Sequence, residues 1–147
     1  MDRDFGGCYS QGVTIFRGSE QEGYPLSDEP WQANFIAVAA MNHPRLVEVG
    51  GELRIAPELV AGTRNKIRTI LRIAVEHRQE VLVLGAWGCG AFRNPPHHMA
   101  ELFREVLFEE EFCGVFRKVI FAIMEDHNSQ GGGNVEPFAR VFGRIDL

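Results

Sequence analysis

Apolar residues along the chain fall into short unbroken runs separated by stripes at helical spacing. Phe35-Ile36-Ala37-Val38-Ala39-Ala40 is continuously apolar and stops at Asn42-His43-Pro44, which predicts a strand covered on both faces. Val81-Leu82-Val83-Leu84 predicts a second buried strand, and Val119 to Met124 a third. Between the first two, a helix opens at Pro57, whose missing N–H costs nothing in a first turn. Val60, Ile67, Ile70, Leu71, Ala74 and Val75 share one stripe of it, with Arg64, Arg68, Arg72 and Arg78 mostly elsewhere. Met99, Leu102, Phe103, Val106 and Leu107 predict another helix from Pro96 to Glu111, and a short one from about Pro137 to Phe142 closes the chain. Residues 1–30 show no sustained period. Gly6-Gly7, Gly12, Gly18 and Gly23 punctuate them, and only Val13-Thr14-Ile15-Phe16 looks like a strand, so they read as a loop-rich opening segment.

Strands alternating with helices imply a parallel sheet, because a parallel connection needs a crossover and a helix is the usual one. The class is α/β, and 147 residues suffice for a single domain, 1–147. With 45% hydrophobic and 24% charged residues, the composition excludes disordered and low-complexity classes. A net charge of −5 argues against a DNA partner, since phosphates would be repelled over much of the surface. No apolar run approaches the roughly 20 residues of a membrane span, and the first residues do not resemble a signal peptide, which predicts a cytoplasmic protein without membrane contact. Cys8, Cys89 and Cys113 have neither the number nor the spacing of a disulfide framework or a zinc site, so reduced thiols are expected. Adjacent His97 and His98 cannot share a helix face, which leaves no metal pair and predicts surface histidines. Glu109-Glu110-Glu111 reads as a solvated helix end.

Candidate chemistry concentrates after the second strand, in Gly85-Ala86-Trp87-Gly88-Cys89-Gly90-Ala91-Phe92-Arg93-Asn94. In an open α/β sheet, ligands sit where strands end and helices begin. Gly85, Gly88 and Gly90 permit positive φ and close approach. The amides of Cys89, Gly90 and Ala91, with the start of the next helix, could receive a diphosphate. Phe92 could pack on a ribose or base, and Arg93 and Asn94 could contact polar ligand groups or cap the helix. The spacing matches neither a Walker loop nor the dinucleotide fingerprint, and a ligand-free strand-to-helix turn fits it as well.

Leu82 through Pro96 resembles the signature of the microbial-type poly(ADP-ribose) glycohydrolases, with a continuation through Met99-Ala100, Phe103 and Val119–Ile123, and backwards to Gly12–Arg17. The resemblance implies a macrodomain-like three-layer sandwich, with a mainly parallel sheet and helices on both faces. It implies that residues 85–94 embrace the diphosphate of ADP-ribose, with Phe92 beside the sugar nearest the scissile bond and the polar loop after Met124 near the adenosine half. No cofactor is implied. The family's Gly-Gly-Gly and Gln-Glu-Glu segment, whose second glutamate is the general acid, precedes the strand equivalent to Val13–Phe16. Only twelve residues stand there in this chain. Gly6-Gly7, Gln21-Glu22-Gly23 and Gly131-Gly132-Gly133 do not reproduce it.

Glycosidic cleavage needs an acid to protonate the leaving oxygen, so its loss predicts binding of ADP-ribose or poly(ADP-ribose) with impaired hydrolysis. Glu125 and Asp126, beyond the third strand, read as loop-capping or solvated acids rather than replacements, and no catalytic residue is assigned. The alternatives are an active hydrolase completed by a further N-terminal segment or partner chain, and a non-catalytic structural or oligomerising module. The family's Asn-bearing strand would lie between Phe35–Ala40 and Val81–Leu84. Without it, those strands are expected to pair directly or to have their gap covered by a second chain, as in a homo-oligomer.

Overall fold

The computed structural model describes residues 5–125, 129 and 132–143. The chain opens with β1 (Cys8–Arg17) and β2 (Leu26–Ala37), which pair antiparallel. The loop-rich opening segment is therefore a hairpin, a correction to the reading above. Its period was hidden by bulges at Ser10/Val13 and Ile15/Arg17. At the first bulge Gly12 takes φ +64° and donates its N–H to Asn34 Oδ1 at 3.0 Å. The tip is a 3-10 turn, Glu20–Glu22, in which the Glu22 carboxylate accepts from the Ser19 N–H and hydroxyl.

A second hairpin, β3 (Leu46–Val49) with β4 (Glu52–Ile55), turns on Gly50 and Gly51, both at positive φ. Its strands are too short to establish a period. Helix α1 (Pro57–Glu76) starts at Pro57 as expected. It ends without a glycine: Arg78 takes φ +54°, and the Arg78 and Gln79 amides return to the Val75 and Ala74 carbonyls. Val75 is exposed, contrary to the expected stripe, while Thr63 and Lys66 are buried in it.

Next come β5 (Val81–Leu84), α2 (Pro96–Leu107), β6 (Lys118–Phe121) and α3 (Val135–Phe142), with β5 and β6 parallel. Only this connection crosses over by a helix between paired strands. The strands of the other two pairs are joined by turns and run antiparallel. Among the described residues, three two-stranded sheets thus stand where a mainly parallel sheet was expected, and β2 and β5 share no ladder. Nor are the strands covered on both faces. Leu82 enters the core and Ile36 and Val38 pack against it, while Val83 and Phe35 are 66% and 48% exposed.

Met99, Leu102, Phe103 and Val106, spaced i, i+3, i+4, i+7 on α2, are fully buried against Ile67, Leu71 and Ala74 of α1. Helix α2 stops at Leu107, short of the expected Glu111, and the chain then turns so that Phe112 and Phe116 enter the core. Glu109 and Glu111 are consequently not merely solvated. Arg64, Arg68 and Arg72, one turn apart on α1, grip Glu105, Glu109 and Glu111, each pair at 2.6 Å.

Candidate functional site

The turn from β5 to α2 is anchored from below by an aromatic column. Trp87 meets Phe103 edge-on at 6.0 Å, Phe103 meets Phe121 at 5.6 Å, and Phe121 meets Phe138 at 5.1 Å. These contacts tie residue 87 to α2, β6 and α3. Of the three glycines free to take positive φ, only Gly88 adopts it, at +77°. A Cβ there would stand 2.6 Å from Ala40 Cβ and 2.7 Å from Asn94 Nδ2, so conformation and space both require glycine.

The amides divide into two sets. Those of Trp87, Cys89, Arg93 and Asn94 are satisfied within the turn, by the carbonyls of Gly85, Ala86, Gly90 and Gly88 at 2.8 to 3.0 Å. The Cys89 amide is therefore not free for a ligand, which corrects one expectation. Those of Gly88, Gly90, Ala91 and Phe92 find no acceptor among the described residues. Ala91, Phe92 and Arg93 are exposed, and Arg93 holds φ +58°, a left-handed conformation costly for any residue with a side chain.

Cys89 and Asn94 point inward. Cys89 is fully buried, and burial pushes its thiol up to about 12, which leaves it protonated and unreactive. Asn94 is also fully buried and acts as a brace: its Nδ2 donates to Met41 O at 2.7 Å and Gly88 O at 2.9 Å. Its Nδ2 thus holds the turn itself rather than capping α2. Gly85 is exposed at the end of β5, where its carbonyl accepts from Trp87.

A second wall escaped the sequence reading. Residues 38–43, just after β2, close against the turn: Trp87 Nε1 donates to Val38 O at 2.8 Å, and the His43 N–H donates to Phe92 O at 2.9 Å. Asn42-His43-Pro44 signalled only the end of a strand, and nothing in spacing shows a contact across fifty residues. The buried polar Asn94 and the Trp in a glycine-rich turn were the available hints.

Among the described residues, cavities also lie elsewhere. The larger, about 680 Å³, is walled by Phe108, Phe112, Phe121, Phe138 and Phe142 with Arg117, at the far end of α2. Its aromatic walls suit no diphosphate, so we place the candidate site on the open turn. His97 and His98 are not the surface residues expected. His98 is buried, its Nδ1 accepts the Ile55 N–H at 2.9 Å, and burial, with Arg54 nearby, holds its pKa below the ordinary value. His97 is half-buried, 3.1 Å from Glu52. No group of three His, Cys, Asp or Glu able to hold a metal occurs among the described residues.

Of the two acids considered near the third strand, Glu125 caps α3: its carboxylate accepts from the Asn134 and Val135 amides, each at 2.7 Å. Asp126 and half of the polar loop from Glu125 to Asn134 lie outside the described residues.

No protein-family model and no curated protein matches the chain. Solved structures do. Poly(ADP-ribose) glycohydrolase from Deinococcus radiodurans in complex with ADP-ribose matches 93% of this chain at 33% identity, with a TM-score of 0.73. The Thermomonospora curvata enzyme bound to the inhibitor ADP-HPD matches 90% at 33% identity and a TM-score of 0.74. A second structure of the Thermomonospora curvata enzyme matches 91% at 35% identity and a TM-score of 0.74. The described fold is a partial poly(ADP-ribose) glycohydrolase-like domain. It spans about half the length of those chains: 51%, 47% and 46% respectively. Within this glycohydrolase-like domain no described helix is long and apolar enough to cross a membrane.

Proposed function

We propose that the glycohydrolase-like domain binds ADP-ribose, or the ends of its polymer, on the turn 85–94. The observation that carries this reading is the cluster of amides at Gly88, Gly90, Ala91 and Phe92 that find no acceptor among the described residues, on a turn whose residues 91–93 are exposed and which leads into α2. Backbone N–H groups lacking internal acceptors are an anion receptor, and the positive end of a helix strengthens it. Exposed Arg93 supplies a cation beside them, and the half-exposed ring of Phe92 offers an apolar face to a sugar. The solved neighbours with ADP-ribose or an inhibitor bound support the same ligand class.

Hydrolysis by these 147 residues alone is expected to be weak, because Glu125 is engaged at α3 rather than free to protonate a leaving oxygen. Calorimetry with ADP-ribose tests binding: measurable heat is expected, and Gly90→Val should abolish it while leaving the circular dichroism unchanged. Silence at millimolar ADP-ribose would instead favour a purely structural turn, a reading supported by the four internally satisfied amides. Release of free ADP-ribose from polymer by the purified chain would overturn the expectation of weak hydrolysis.

A further inference from the structure

The cavity at the far end of α2 is built by segments that the turn 85–94 does not involve. After α2 ends at Leu107, the chain runs through Phe108 and Phe112 to Gly114, whose φ of +74° turns it back toward β6. Phe121 of β6 packs on Phe138 and Phe142 of α3, with ring centroids 5.1 and 4.5 Å apart. These two sets of rings line about 680 Å³ of unfilled space. Protein interiors pack like organic crystals, and apolar walls with nothing between them forgo their dispersion contacts. The volume lies within the roughly 300–1,000 Å³ of small-molecule sites. The wall residues Phe108 and Val135 are half-exposed, so an apolar occupant would bury further surface.

The ionisable groups of the wall are few and none is acidic. Among the described residues, Arg117 is its only charged side chain and Cys113 its only thiol. The Arg117 guanidinium is largely exposed. Its Nε stands 3.6 Å from Glu80 Oε2, too far for a hydrogen bond and in water that screens the pair. Its planar fork of donors is therefore open to a carboxylate, which it would hold by two parallel bonds.

We infer that this cavity binds an amphipathic carboxylate of the fatty-acid class, with its hydrocarbon chain among Phe112, Phe121, Phe138 and Phe142 and its head on Arg117. Sign and shape select the class. A nucleotide would press its polar body against the rings, a cationic amphiphile would meet Arg117 with like charge, and an uncharged lipid would leave the guanidinium unused. The inference does not rest on the nucleotide reading, whose turn leads into the opposite end of α2.

Calorimetry of the 147-residue chain tests it, with decanoate below its micelle concentration and with acetate and decanol as probes that lack the tail and the charge. One decanoate per chain is expected, with no heat from acetate and decanol weaker by about tenfold. Arg117→Gln, at an exposed position, should keep the unfolding midpoint, weaken decanoate about tenfold and leave decanol unchanged. Ala139→Trp, exposed on α3 and lining the cavity, should weaken both. Thiol footprinting gives a second readout. Bound decanoate should slow alkylation of Cys113 by N-ethylmaleimide about tenfold and leave Cys8, exposed on β1, unchanged. The inference is overturned if decanoate gives no heat, if decanol matches it, if Arg117→Gln binds it like the parent chain, or if several molecules bind and protect both thiols alike. It also falls if Cys113 resists alkylation before any ligand is added, because the cavity is then already filled. ADP-ribose enters none of these outcomes, so its failure to bind would leave this inference untouched.

Discussion

The region around α2 and the opening hairpin use apolar residues in opposite ways. On α2, Met99, Leu102, Phe103 and Val106 are fully buried, and Phe112, Phe116 and Phe138 close the same cluster. In the opening hairpin, among the described residues, Ile36 of β2 packs against that core, joined by Val38 just beyond the strand, while Trp31 and Phe35 are 59% and 48% exposed. Stability should therefore reside around α2, and the hairpin's outer residues should contribute little until something covers them. The sharpest test pairs two phenylalanines. Phe103→Ala should cost about 3–5 kcal/mol in urea unfolding, through lost transfer energy and the cavity left behind. Phe35→Ala should stay within about 0.5 kcal/mol. Equal costs would mean that the outer face is already covered in solution.

A second pair contrasts glycines of the same two regions. Gly88 and Gly12 both hold positive φ, but a Cβ at Gly88 collides with Ala40 and Asn94, whereas one at Gly12 comes no closer than 3.7 Å to Gln32. Gly88→Ala adds overpacking to backbone strain, and a loss of roughly 2–4 kcal/mol is expected, together with ADP-ribose binding. Gly12→Ala carries strain alone, about 1 kcal/mol. Thermal unfolding distinguishes them. Similar midpoints would show that the turn yields, and that its amides are less fixed than the proposed function requires.

This contrast also explains what the sequence disclosed. The helix from Pro57 and the stripe of α2 were legible because their apolar residues face one continuous core and burial imposes a period, whereas 81–84 was legible only as an unbroken apolar run, Val81 and Val83 facing outward. The hairpin was not, because bulges and an uncovered face break the alternation that would announce a strand. At the turn, glycine content marked the right place but could not separate amides facing outward from those closed upon Gly85, Ala86, Gly88 and Gly90. The bracing role of Asn94 and the burial of His98 were not legible for a common reason. Each is a polar side chain that ties one distant backbone group, Met41 O or the Ile55 N–H, and such ties have no sequence period.

His98 makes the buried half pH-sensitive. Its folded pKa is lowered, chiefly by burial, so the unfolded chain takes up the proton first. The contribution is present above the unfolded value of about 6.5 and is lost as pH falls below it. A protonated Nδ1 could no longer accept the Ile55 N–H, which gives the same sign from geometry. Urea midpoints should fall between pH 7 and 5 in the parent chain and more shallowly in His98→Gln. Identical slopes would place the acid sensitivity elsewhere.

The smallest effects belong to the arginine ladder, where one surface can be compared with itself. Arg68 and Glu109 retain 25% and 30% side-chain exposure, whereas Arg72 and Glu111 retain 58% and 45%. Water screens the outer pair more strongly, so geometry alone does not rank the two rungs; both close at 2.6 Å. Arg68→Gln should cost up to about 1 kcal/mol, the upper range for such pairs, and Arg72→Gln less. Glu111 still carries a signature, because the hydrogen bond from Arg72 holds its carboxyl below the ordinary range. A depressed folded pKa gives stability that is present above the unfolded value of about 4.3 and is lost as acid protonates the folded carboxylate. Arg72→Gln should therefore narrow its deficit below pH 4 and in molar salt, while the Arg68→Gln deficit persists in salt. If salt erased both deficits alike, the inner rung would be no better shielded than the outer, and the helices would be held by their apolar faces alone.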